Sequence, residues 1–311
     1  MTMSPEGRFI KGRFAPSPTG ELHLGNARTA LLAWLWTRVE QGAHVMRLED
    51  IDLPRVRPAM AQQQLGELSW LGLDWDEGPY FQSQRTPLFE GALKRLGDDV
   101  YECFCSRVEI AAAASAPHGD EGPRYPGTCA SLTRAQRQRR RLTREPSLRL
   151  RVPQGASIAF VDEIMGPQEF DVSATVGDFL LRRADGIFAY QLAVAVDDGA
   201  MGITQVLRGA DLLASTARQI LIHRLLGQRE PRWAHAPLVH AASGERLSKR
   251  DKALSLSALR ARGADPRRVV AHLARISGLD APEACDPRDL VTGFSPARVP
   301  RRAAVLSSLP C

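Results

Sequence analysis

The sequence lacks any run of about 18 apolar residues, and its N-terminus lacks the apolar core of a secretory signal. These absences exclude a membrane-spanning helix and export, so we expect a cytoplasmic protein without a membrane partner. The five cysteines are odd in number and widely scattered, which argues against a disulfide framework and leaves metal binding or catalysis open. The sequence has no internal repeat, and no protein partner is inferred from it.

The composition is that of a globular protein, with a basic bias at one end. Hydrophobic residues make up 44% and charged residues 24% of the 311 residues, which excludes disordered and fibrous classes. The net charge is +6. Residues 245–311 carry 13 basic and 7 acidic side chains, and the preceding residues carry 28 of each. A basic C-terminal fifth is typical of a surface that meets a polyanion, although a solvated arginine-rich face explains it equally well.

Two sets of arginines are candidates for contact with that polyanion. One is in the basic tail, and the other is an arginine run in the middle of the chain that competes with it. The tail candidates are Arg260, Arg262, Arg267, Arg268, Arg301 and Arg302, and the competing run is Arg134–Arg144.

Strand and helix patterns alternate in the N-terminal third. A short apolar strand over 8–14 leads through a Pro- and Gly-rich turn over 15–25 into a helical pattern over 26–41. A second strand over 44–51 and a second helix over 59–71 follow. Strand, helix and strand in this order favour an α/β fold with a parallel sheet of the doubly wound, Rossmann type.

The middle of the chain has a different pattern, which we interpret as an inserted subdomain with β-like segments at 147–152 and 158–161. The apolar run 188–196 is predicted to be a buried strand that resumes the parallel sheet, before a strand at 204–207 and a helix at 215–226. The predicted division is a Rossmann-type catalytic domain over 1–98 and 186–244, an inserted acceptor and zinc-binding subdomain over 99–185, and a basic helical C-terminal region over 245–311.

The turn after the first strand is the best candidate for a ligand site, because open α/β sheets bind ligands there. Gly20 and Gly25 allow a ligand close to the backbone. His23 lies just before the helix, whose N-terminus offers N–H groups and a positive dipole end to phosphate. The turn contains neither Gly-x-x-x-x-Gly-Lys nor Gly-x-Gly-x-x-Gly, which disfavours a P-loop NTPase and an ordinary Rossmann dehydrogenase. Taken alone, it is also compatible with a structural strand-to-helix turn.

A second, distant segment, Glu245–Arg250, is polar and basic, and taken singly it is a weak signal. Together the two segments resemble the two signatures of class I aminoacyl-tRNA synthetases. Ala15–Asn26 resembles the His-x-Gly-His element in its glutamate-type form, with Asn26 in place of the second histidine. Arg246–Arg250 resembles the Lys-Met-Ser-Lys-Ser element, with Lys249 at its essential second lysine. The similarity to glutamyl-tRNA synthetases covers residues 8 to about 255 and includes Arg47–Asp52, Trp70–Pro79, Gln82–Arg85, Val196–Asp198 and Leu207–Asp211.

Two features differ from the long glutamyl enzymes. Only about 60 residues follow Lys249, too few for the region with which those enzymes grip the anticodon, and Ala210 stands where they usually have Glu. The chain therefore resembles their short paralogues, which attach glutamate to the queuosine base at the anticodon wobble position of tRNA(Asp). The alternatives are a truncated synthetase that charges tRNA(Glu), and a non-catalytic tRNA-binding zinc protein, against which the intact His23 and Lys249 argue.

Three cysteines are close enough in sequence to form one metal site. Cys103 and Cys105 are separated by one residue, and Cys129 follows after a Pro- and Gly-rich loop. Thiolates favour zinc, and a site without an open position is structural, although three buried cysteines without a metal remain an alternative. On the residues alone the fourth ligand is His118 or an oxygen donor. The resemblance implies Tyr125, because the short paralogues have a Cys-x-Cys and Tyr-x-x-x-Cys site.

The resemblance also implies a reaction and the residues that perform it. Glutamate is activated by ATP, accompanied by Mg²⁺, and the glutamyl group passes to RNA. Glu49 is expected to meet the amino group, Tyr190 to close the pocket and Arg208 to pair with a carboxylate. Glu49 and Arg208 could instead form a structural ion pair, and Tyr190 could belong to the core. The implied glutamate-binding residues are Arg13, Phe14, Ala15, Pro16, Ser17, Glu49, Tyr190 and Arg208; the ATP-binding residues are His23, Gly25, Asn26 and Lys249, of which His23 and Lys249 are catalytic.

Overall fold

The structure is a computed structural model that describes residues 9–113, 124–241 and 254–306. The second signature segment with Lys249, and the candidate ligand His118, lie outside the described residues. The described helices are α1 (Leu24–Val39), α2 (Pro58–Trp70), α3 (Thr86–Leu96), α4 (Arg107–Ala113), α5 (Arg134–Arg141), α6 (Val172–Thr175), α7 (Tyr190–Ala200), α8 (Leu213–Leu225), α9 (Leu256–Ala261) and α10 (Pro266–Arg275). The described strands are β1 (Lys11–Phe14), β2 (Ala43–Leu48), β3 (Glu77–Phe81), β4 (Val100–Cys103), β5 (Ser147–Leu150), β6 (Ser157–Asp162), β7 (Gly166–Asp171), β8 (Leu180–Arg182), β9 (Gln205–Gly209), β10 (Arg232–Ala236), β11 (Val239–Ala241) and β12 (Ala304–Leu306).

Seven of the described strands form a central sheet in the order β3-β2-β1-β9-β10-β6-β7. All neighbours are parallel except the final hairpin of β6 and β7. Successive side chains of a strand point to opposite faces, so Val45 and Met46 of β2 join two different apolar clusters, as do Val206 and Leu207 of β9. Helices cover both faces, which confirms an α/β fold with a mainly parallel, Rossmann-like sheet, while the β6–β7 hairpin makes the sheet mixed.

The apolar run 188–196 is helical from Tyr190 onward, while Phe188 forms a β-bridge with Arg182, so the prediction of a strand over this run is wrong. Helix α7 begins at Tyr190, and Leu192, Ala193, Val194, Ala195 and Val196 are all buried. A helix enclosed on every side is apolar all round, so its sequence has no polar stripe to mark the helical period. The helix packs against α3 and α8 on one face of the sheet.

Part of region 99–185 forms a small sheet of its own, and part joins the central sheet. Strands β4, β5 and β8 pair antiparallel in the order β4-β5-β8. The β6–β7 hairpin instead pairs with β10 of the central sheet, through Trp233 and Asp162. The division of the chain into units stays a prediction, but this pairing places Asp162 in the central sheet, beside β10.

The C-terminal region packs against the first helix of the sheet. Helices α1 and α10 are in contact, and β12 pairs parallel with β11, which continues from β10. Among the described residues, no helix is long and apolar enough to cross a membrane.

Candidate active site and metal centre

A cavity of about 380 Å³ opens at the carboxyl ends of β1, β2, β9 and β10. This is the point at which the strand order reverses, with β2 and β3 on one side of β1 and β9 on the other, and open α/β sheets bind ligands at such a point. The cavity brings together every predicted glutamate- and ATP-binding residue that the structure describes, namely Arg13, Phe14, Ala15, Pro16, Ser17, His23, Gly25, Asn26, Glu49, Tyr190 and Arg208.

The turn between β1 and α1 is fixed by hydrogen bonds from α2 and from the residue that follows β2. The Gln64 side chain on α2 donates from Nε2 to the carbonyls of Ser17 and Gly20, at 3.1 and 2.7 Å. The backbone N–H of Glu49 donates to the Pro16 carbonyl at 3.0 Å. These bonds pair the Pro16 and Gly20 carbonyls and add a second donor to the Ser17 carbonyl, which also accepts the Thr19 N–H. They fix one wall of the cavity.

His23 is the N-cap of α1. Its Nδ1 accepts hydrogen bonds from the backbone N–H groups of Gly25 and Asn26, at 3.1 and 3.3 Å, and Asn26 Oδ1 accepts the His23 N–H in return. These two helix N–H groups are therefore engaged by the imidazole, contrary to the expectation that they are open to phosphate. Because Nδ1 is an acceptor, the ring proton is on Nε2, and His23 is a hydrogen-bond donor in the cavity wall.

Gly25 is required by this cap. A Cβ added at Gly25 would lie 2.9 Å from His23 Cε1 and 3.0 Å from Nδ1, so the imidazole would have to shift to make room for it. Any side chain at position 25 would push the imidazole out of its capping position. Gly25 is predicted to let a ligand approach the backbone, and in the structure it also lets the His23 ring approach.

A buried ion network reaches the cavity through Arg13 and Glu49, which line it. Asp198 on α7 accepts two hydrogen bonds from Arg13, at 3.3 and 3.2 Å, and one from Arg47 at 2.7 Å. Burial alone would raise the pKa of Asp198, but the two guanidinium groups outweigh it and hold that pKa well below its usual range. Burial lowers the pKa of Arg47, and the Asp198, Glu49 and Asp197 carboxylates outweigh it and raise it. Asp198 and Arg47 are therefore charged.

The network continues to Glu49, Asp197 and Arg85. Arg47 donates to Glu49 at 3.4 Å, and Arg85 donates to Asp197 at 2.5 Å. Burial raises the pKa of the Glu49 carboxyl. Within the described part of the chain Glu49 pairs with Arg47 and makes no ion pair with Arg208, so the alternative of a structural Glu49–Arg208 pair is not what the fold contains.

Arg208 at the end of β9 is buried, with 4% of its surface exposed, and lines the cavity. Its Nε donates to His235 Nε2 at 3.0 Å, and its terminal nitrogens donate to Gln219 Oε1 and Thr216 Oγ1, both at 2.8 Å. No carboxylate in the described ranges pairs with it. The cavity thus has one buried cation whose protein partners are uncharged.

Tyr190 begins α7 and lies at the cavity, with 36% of its surface exposed. It is the first helical residue, and the apolar residues that follow it are the ones that enter the core. The alternative that Tyr190 is an ordinary core residue therefore does not fit its position.

The second signature segment itself is not described, but the residues on both sides of it are at the cavity. Val239 lines the cavity on one side. On the other side, the N–H of Leu256 donates to the Leu22 carbonyl at 2.8 Å, and Ser255 forms a β-bridge with His23.

The three predicted metal-binding cysteines form a cluster in the small sheet region. The sulfur atoms of Cys103, Cys105 and Cys129 lie within 4.8 Å of one another, and those of Cys105 and Cys129 are 3.6 Å apart. Tyr125 Oη lies 3.3 Å from the Cys103 sulfur and 3.8 Å from the Cys105 sulfur. Ligands at about 2.3 Å from a tetrahedral zinc would be about 3.8 Å apart, so these donors fit one metal ion.

Several residues of the site were not assigned a role from the sequence. Asp197 and Asp198 were recognised as a motif, but their pairing with Arg13, Arg47 and Arg85 depends on a helix where a strand was expected. Thr216, Gln219 and His235 had no motif to mark them, because each is a single polar residue in an otherwise ordinary element. An isolated polar residue in a buried segment is the only signal that could have indicated them.

The fold and the site define a class of protein. A mainly parallel, Rossmann-like sheet, a cavity at its switch point and a histidine-capped helix after β1 are the features of a class I tRNA synthetase catalytic domain. Residues 9–301 match the family described as tRNA synthetases class I (E and Q), catalytic domain. The chain belongs to this family.

Individual relatives define the similarity more closely. The chain is 52% identical over 307 residues to the glutamyl-Q tRNA(Asp) synthetase of Symbiobacterium thermophilum, a match that covers 94% of both chains. It is 44% identical to glutamate–tRNA ligase 1 of Halorhodospira halophila, over 93% of this chain and 63% of the ligase. The crystal structure of the Elizabethkingia anophelis glutamate–tRNA synthetase superimposes with a TM-score of 0.84 at 25% identity, over 97% of this chain and 68% of that one.

Proposed function

We propose that this enzyme activates L-glutamate with ATP and transfers the glutamyl group to the queuosine base at the wobble position of tRNA(Asp). The observation that carries the proposal is the cavity, which holds a buried cation without a carboxylate partner, Arg208, together with an acidic side chain, Glu49, as glutamate recognition requires. The higher identity to the glutamyl-Q relative than to the glutamate–tRNA ligase favours queuosine over the tRNA(Glu) terminus as acceptor. The cytoplasm, which holds ATP and tRNA, is the compartment for this reaction.

The reaction has two steps. The α-carboxylate of glutamate attacks the α-phosphorus of ATP; a P–O bond forms, and the bond to pyrophosphate breaks. A hydroxyl on the RNA then attacks the glutamyl carbonyl, and AMP leaves. Both steps depend on positioning and charge stabilisation more than on a protein nucleophile. Mg²⁺ bound with ATP would neutralise phosphate charge.

The cavity residues divide these tasks. Arg208 pairs with the side-chain carboxylate of glutamate through its charge and through the second N–H of its Nη1. Its other four N–H groups donate to His235, Gln219, Thr216 and the Leu212 carbonyl. Glu49 accepts hydrogen bonds from the ammonium group of glutamate. Burial raises the pKa of the Glu49 carboxyl, and the positive charge of the ammonium group opposes this by favouring the ionised carboxylate. Tyr190 closes the pocket over the amino acid.

ATP is held at the start of α1. His23 donates from Nε2 to a phosphate oxygen, and the positive end of the α1 dipole adds to this attraction. Lys249 reaches the same phosphates from the second signature segment and neutralises charge that develops toward pyrophosphate.

The cysteine cluster holds a structural zinc ion in this proposal. Cys103, Cys105 and Cys129 supply three sulfur ligands, and Tyr125 supplies the fourth donor in place of His118. Arg140 supports the anionic sulfurs, since its terminal nitrogen lies 3.7 Å from the Cys129 sulfur. Such a site supplies folding free energy rather than a reactive group.

We expect one zinc ion per chain in protein purified without chelator, and its loss in Cys103→Ser and Cys129→Ser. Stability should fall with it, because binding of a structural metal contributes to folding. Elemental analysis of the purified protein measures the metal directly. Tyr125→Phe should weaken zinc binding and His118→Ala should not. Protein without zinc would contradict the site, and the opposite behaviour of the two variants would make His118 the ligand.

The surface that contacts tRNA is proposed from the pairing of its arginines. In the C-terminal tail Arg267 pairs with Asp286 at 3.3 Å, and Arg268 pairs with Glu283. On α5 the exposed Arg134 and Arg139 have no ion pair within the described ranges. Unpaired arginines contact phosphate without first breaking a salt bridge, so Arg134 and Arg139 are stronger candidates than Arg267 and Arg268. The exposed tail residues Arg260, Arg262, Arg301 and Arg302 have no ion pair within the described ranges either and stay candidates.

Reversing Arg134 and Arg139 to Glu should weaken tRNA binding and make it less sensitive to salt. Each lost phosphate contact removes about 0.9 from the slope of log affinity against log salt, so two contacts should reduce its magnitude by about 1.8. Filter binding at several salt concentrations measures the slope. Pyrophosphate exchange with glutamate should stay at the wild-type rate. The matched variant Arg267→Glu/Arg268→Glu is expected to change the slope less, and a larger change there would assign the RNA surface to the tail.

Glutamate-dependent exchange of pyrophosphate into ATP tests the first step of the proposed function. The wild-type chain should catalyse exchange with glutamate and not with aspartate. A chain that binds tRNA but exchanges no pyrophosphate with any amino acid would instead be the non-catalytic tRNA-binding protein.

A further inference from the structure

The donor and the acceptor of each hydrogen bond between Arg208 and its partners can be assigned. An arginine side chain only donates, so His235 Nε2, which lies 3.0 Å from Arg208 Nε, is an acceptor and carries no proton. The ring proton is then on Nδ1, which lies 2.6 Å from Asp162 Oδ2. His235 is thus held as one neutral tautomer between an arginine and an aspartate.

Asp162 is itself fixed as an anion. Its Oδ1 accepts the backbone N–H groups of Ile164, Met165 and His235, at 3.0, 2.7 and 3.1 Å. Burial alone would raise the pKa of Asp162, but the hydrogen bond from His235 and these N–H groups lower it. Burial lowers the pKa of His235 to about 4, so the imidazole is neutral near pH 7.

Hydrogen bonds to Gln191, and from Gln191 to Ser215, orient the side chain of Gln219, another partner of Arg208. Its Oε1 accepts from Arg208 at 2.8 Å, while its Nε2 donates to Gln191 Oε1 at 3.0 Å. Gln191 Nε2 then donates to Ser215 Oγ at 3.0 Å, which fixes the orientation of both amides. Gln219 therefore presents an oxygen, and no charge, to the guanidinium.

We infer that His235, Gln219 and Thr216 form an uncharged cradle that fixes Arg208 and leaves the positive charge of Arg208 for the substrate. Asp162 orients this cradle through His235. The cradle thereby sets the preference of the enzyme for an amino acid with a carboxylate side chain over one with an amide. The inference rests on the proposed function, in which the substrate is glutamate. A cation compensated by a protein carboxylate would gain little from a second carboxylate, whereas an uncompensated buried cation gains most from one. His235, Gln219 and Asp162 are positioning residues, because they act through Arg208.

The change Gln219→Glu places a carboxylate beside Arg208 in nearly the same volume. We expect the KM for glutamate in pyrophosphate exchange to rise at least about tenfold, in keeping with the contribution of hydrogen bonds to charged groups. The KM for ATP should stay within about twofold of wild type, and the ratio of kcat/KM for glutamate over glutamine should fall. The matched control Gln62→Glu adds the same charge at an exposed position of α2 and should behave as wild type. A wild-type KM for glutamate in Gln219→Glu overturns the inference.

A second variant keeps the test valid if Gln219→Glu does not fold. In Asp162→Asn the amide nitrogen faces His235 Nδ1, which moves the ring proton to Nε2 and turns a donor toward Arg208. We expect ¹⁵N NMR of the His235 ring to report a proton on Nδ1 in the wild type and on Nε2 in the variant, with a higher KM for glutamate. A wild-type proton on Nε2, or an unchanged KM in a variant whose tautomer has moved, overturns the inference. Wild-type protein that shows no glutamate-dependent exchange overturns the proposed function instead, while the NMR experiment still tests the hydrogen-bond arrangement.

Discussion

Replacing Lys249 with alanine is expected to lower the rate of glutamate-dependent pyrophosphate exchange at least about a hundredfold while the protein stays folded. In the proposed mechanism Lys249 neutralises charge that develops as pyrophosphate leaves, and removal of one such transition-state contact typically costs about 10²–10³ in rate. The residues on either side of the segment that carries Lys249 lie at the cavity, with Val239 in its wall and Leu256 bonded to Leu22. Initial rates at saturating ATP and glutamate measure the effect.

Lys252→Ala is the matched control, because it removes the same charge three residues further along the chain. It should keep most of the exchange activity, and both variants should unfold at the wild-type temperature. Equal losses in the two variants would mean that the charge of the segment matters and not the position of Lys249. An unchanged rate in Lys249→Ala would remove Lys249 from the mechanism.

Replacing Asp198 with asparagine is expected to destabilise the fold by about 3–5 kcal/mol, the typical cost of leaving buried charges without their partner. Asp198 is fully buried and accepts from both Arg13 and Arg47. Its loss leaves the buried Arg13 without a carboxylate partner among the described residues, and Arg47 with only Glu49 and Asp197. Urea denaturation measures the free energy of unfolding. The control Glu230→Gln breaks an exposed pair with Arg224 and should cost no more than about 1 kcal/mol. Equal costs in the two variants would contradict the role of the network.

The pH dependence of stability should identify the same carboxylate. The pKa of Asp198 is lower in the folded chain than in the unfolded chain, where an aspartate has a pKa of about 3.9. Its contribution is therefore fully present above about pH 5 and is lost as the pH falls below that range. Unfolding measured from pH 7 to pH 3 should show this loss in the wild type and a smaller one in Asp198→Asn. Parallel curves for the two proteins would show that Asp198 is not the group responsible.

The sequence predicted those parts of the site that depend on neighbours close along the chain. The turn from Ala15 to Asn26 lies between a strand and a helix whose patterns are clear, and its position at the sheet edge follows from the order of these elements. The metal-binding residues were predicted for a similar reason, since Cys103, Cys105, Tyr125 and Cys129 span fewer than 30 residues. Cys103 ends β4, and the Cys105 and Cys129 sulfur atoms are 3.6 Å apart.

The parts that could not be predicted depend on contacts between distant elements. Region 188–196 was assigned to a strand because a buried helix and a buried strand are equally apolar, and only the fold distinguishes them. Asp162 and His235 are 73 residues apart, and they meet because the β6–β7 hairpin, which was placed in the insertion, pairs with β10. No local pattern contains that pairing. The sequence predicts His23 to be a phosphate ligand, because it lies just before a helix. Its role as the N-cap of α1 depends on the orientation of the imidazole ring, which the sequence does not show.

The measurement that tests the proposed function most directly is the charging of tRNA(Asp) with and without queuosine, using radiolabelled glutamate and the wild-type enzyme. The proposal predicts that glutamate is attached to tRNA(Asp) that carries queuosine, that tRNA(Asp) with guanosine at the wobble position accepts none, and that tRNA(Glu) accepts none. Attachment of glutamate to tRNA(Glu), or equal attachment to both forms of tRNA(Asp), would contradict it.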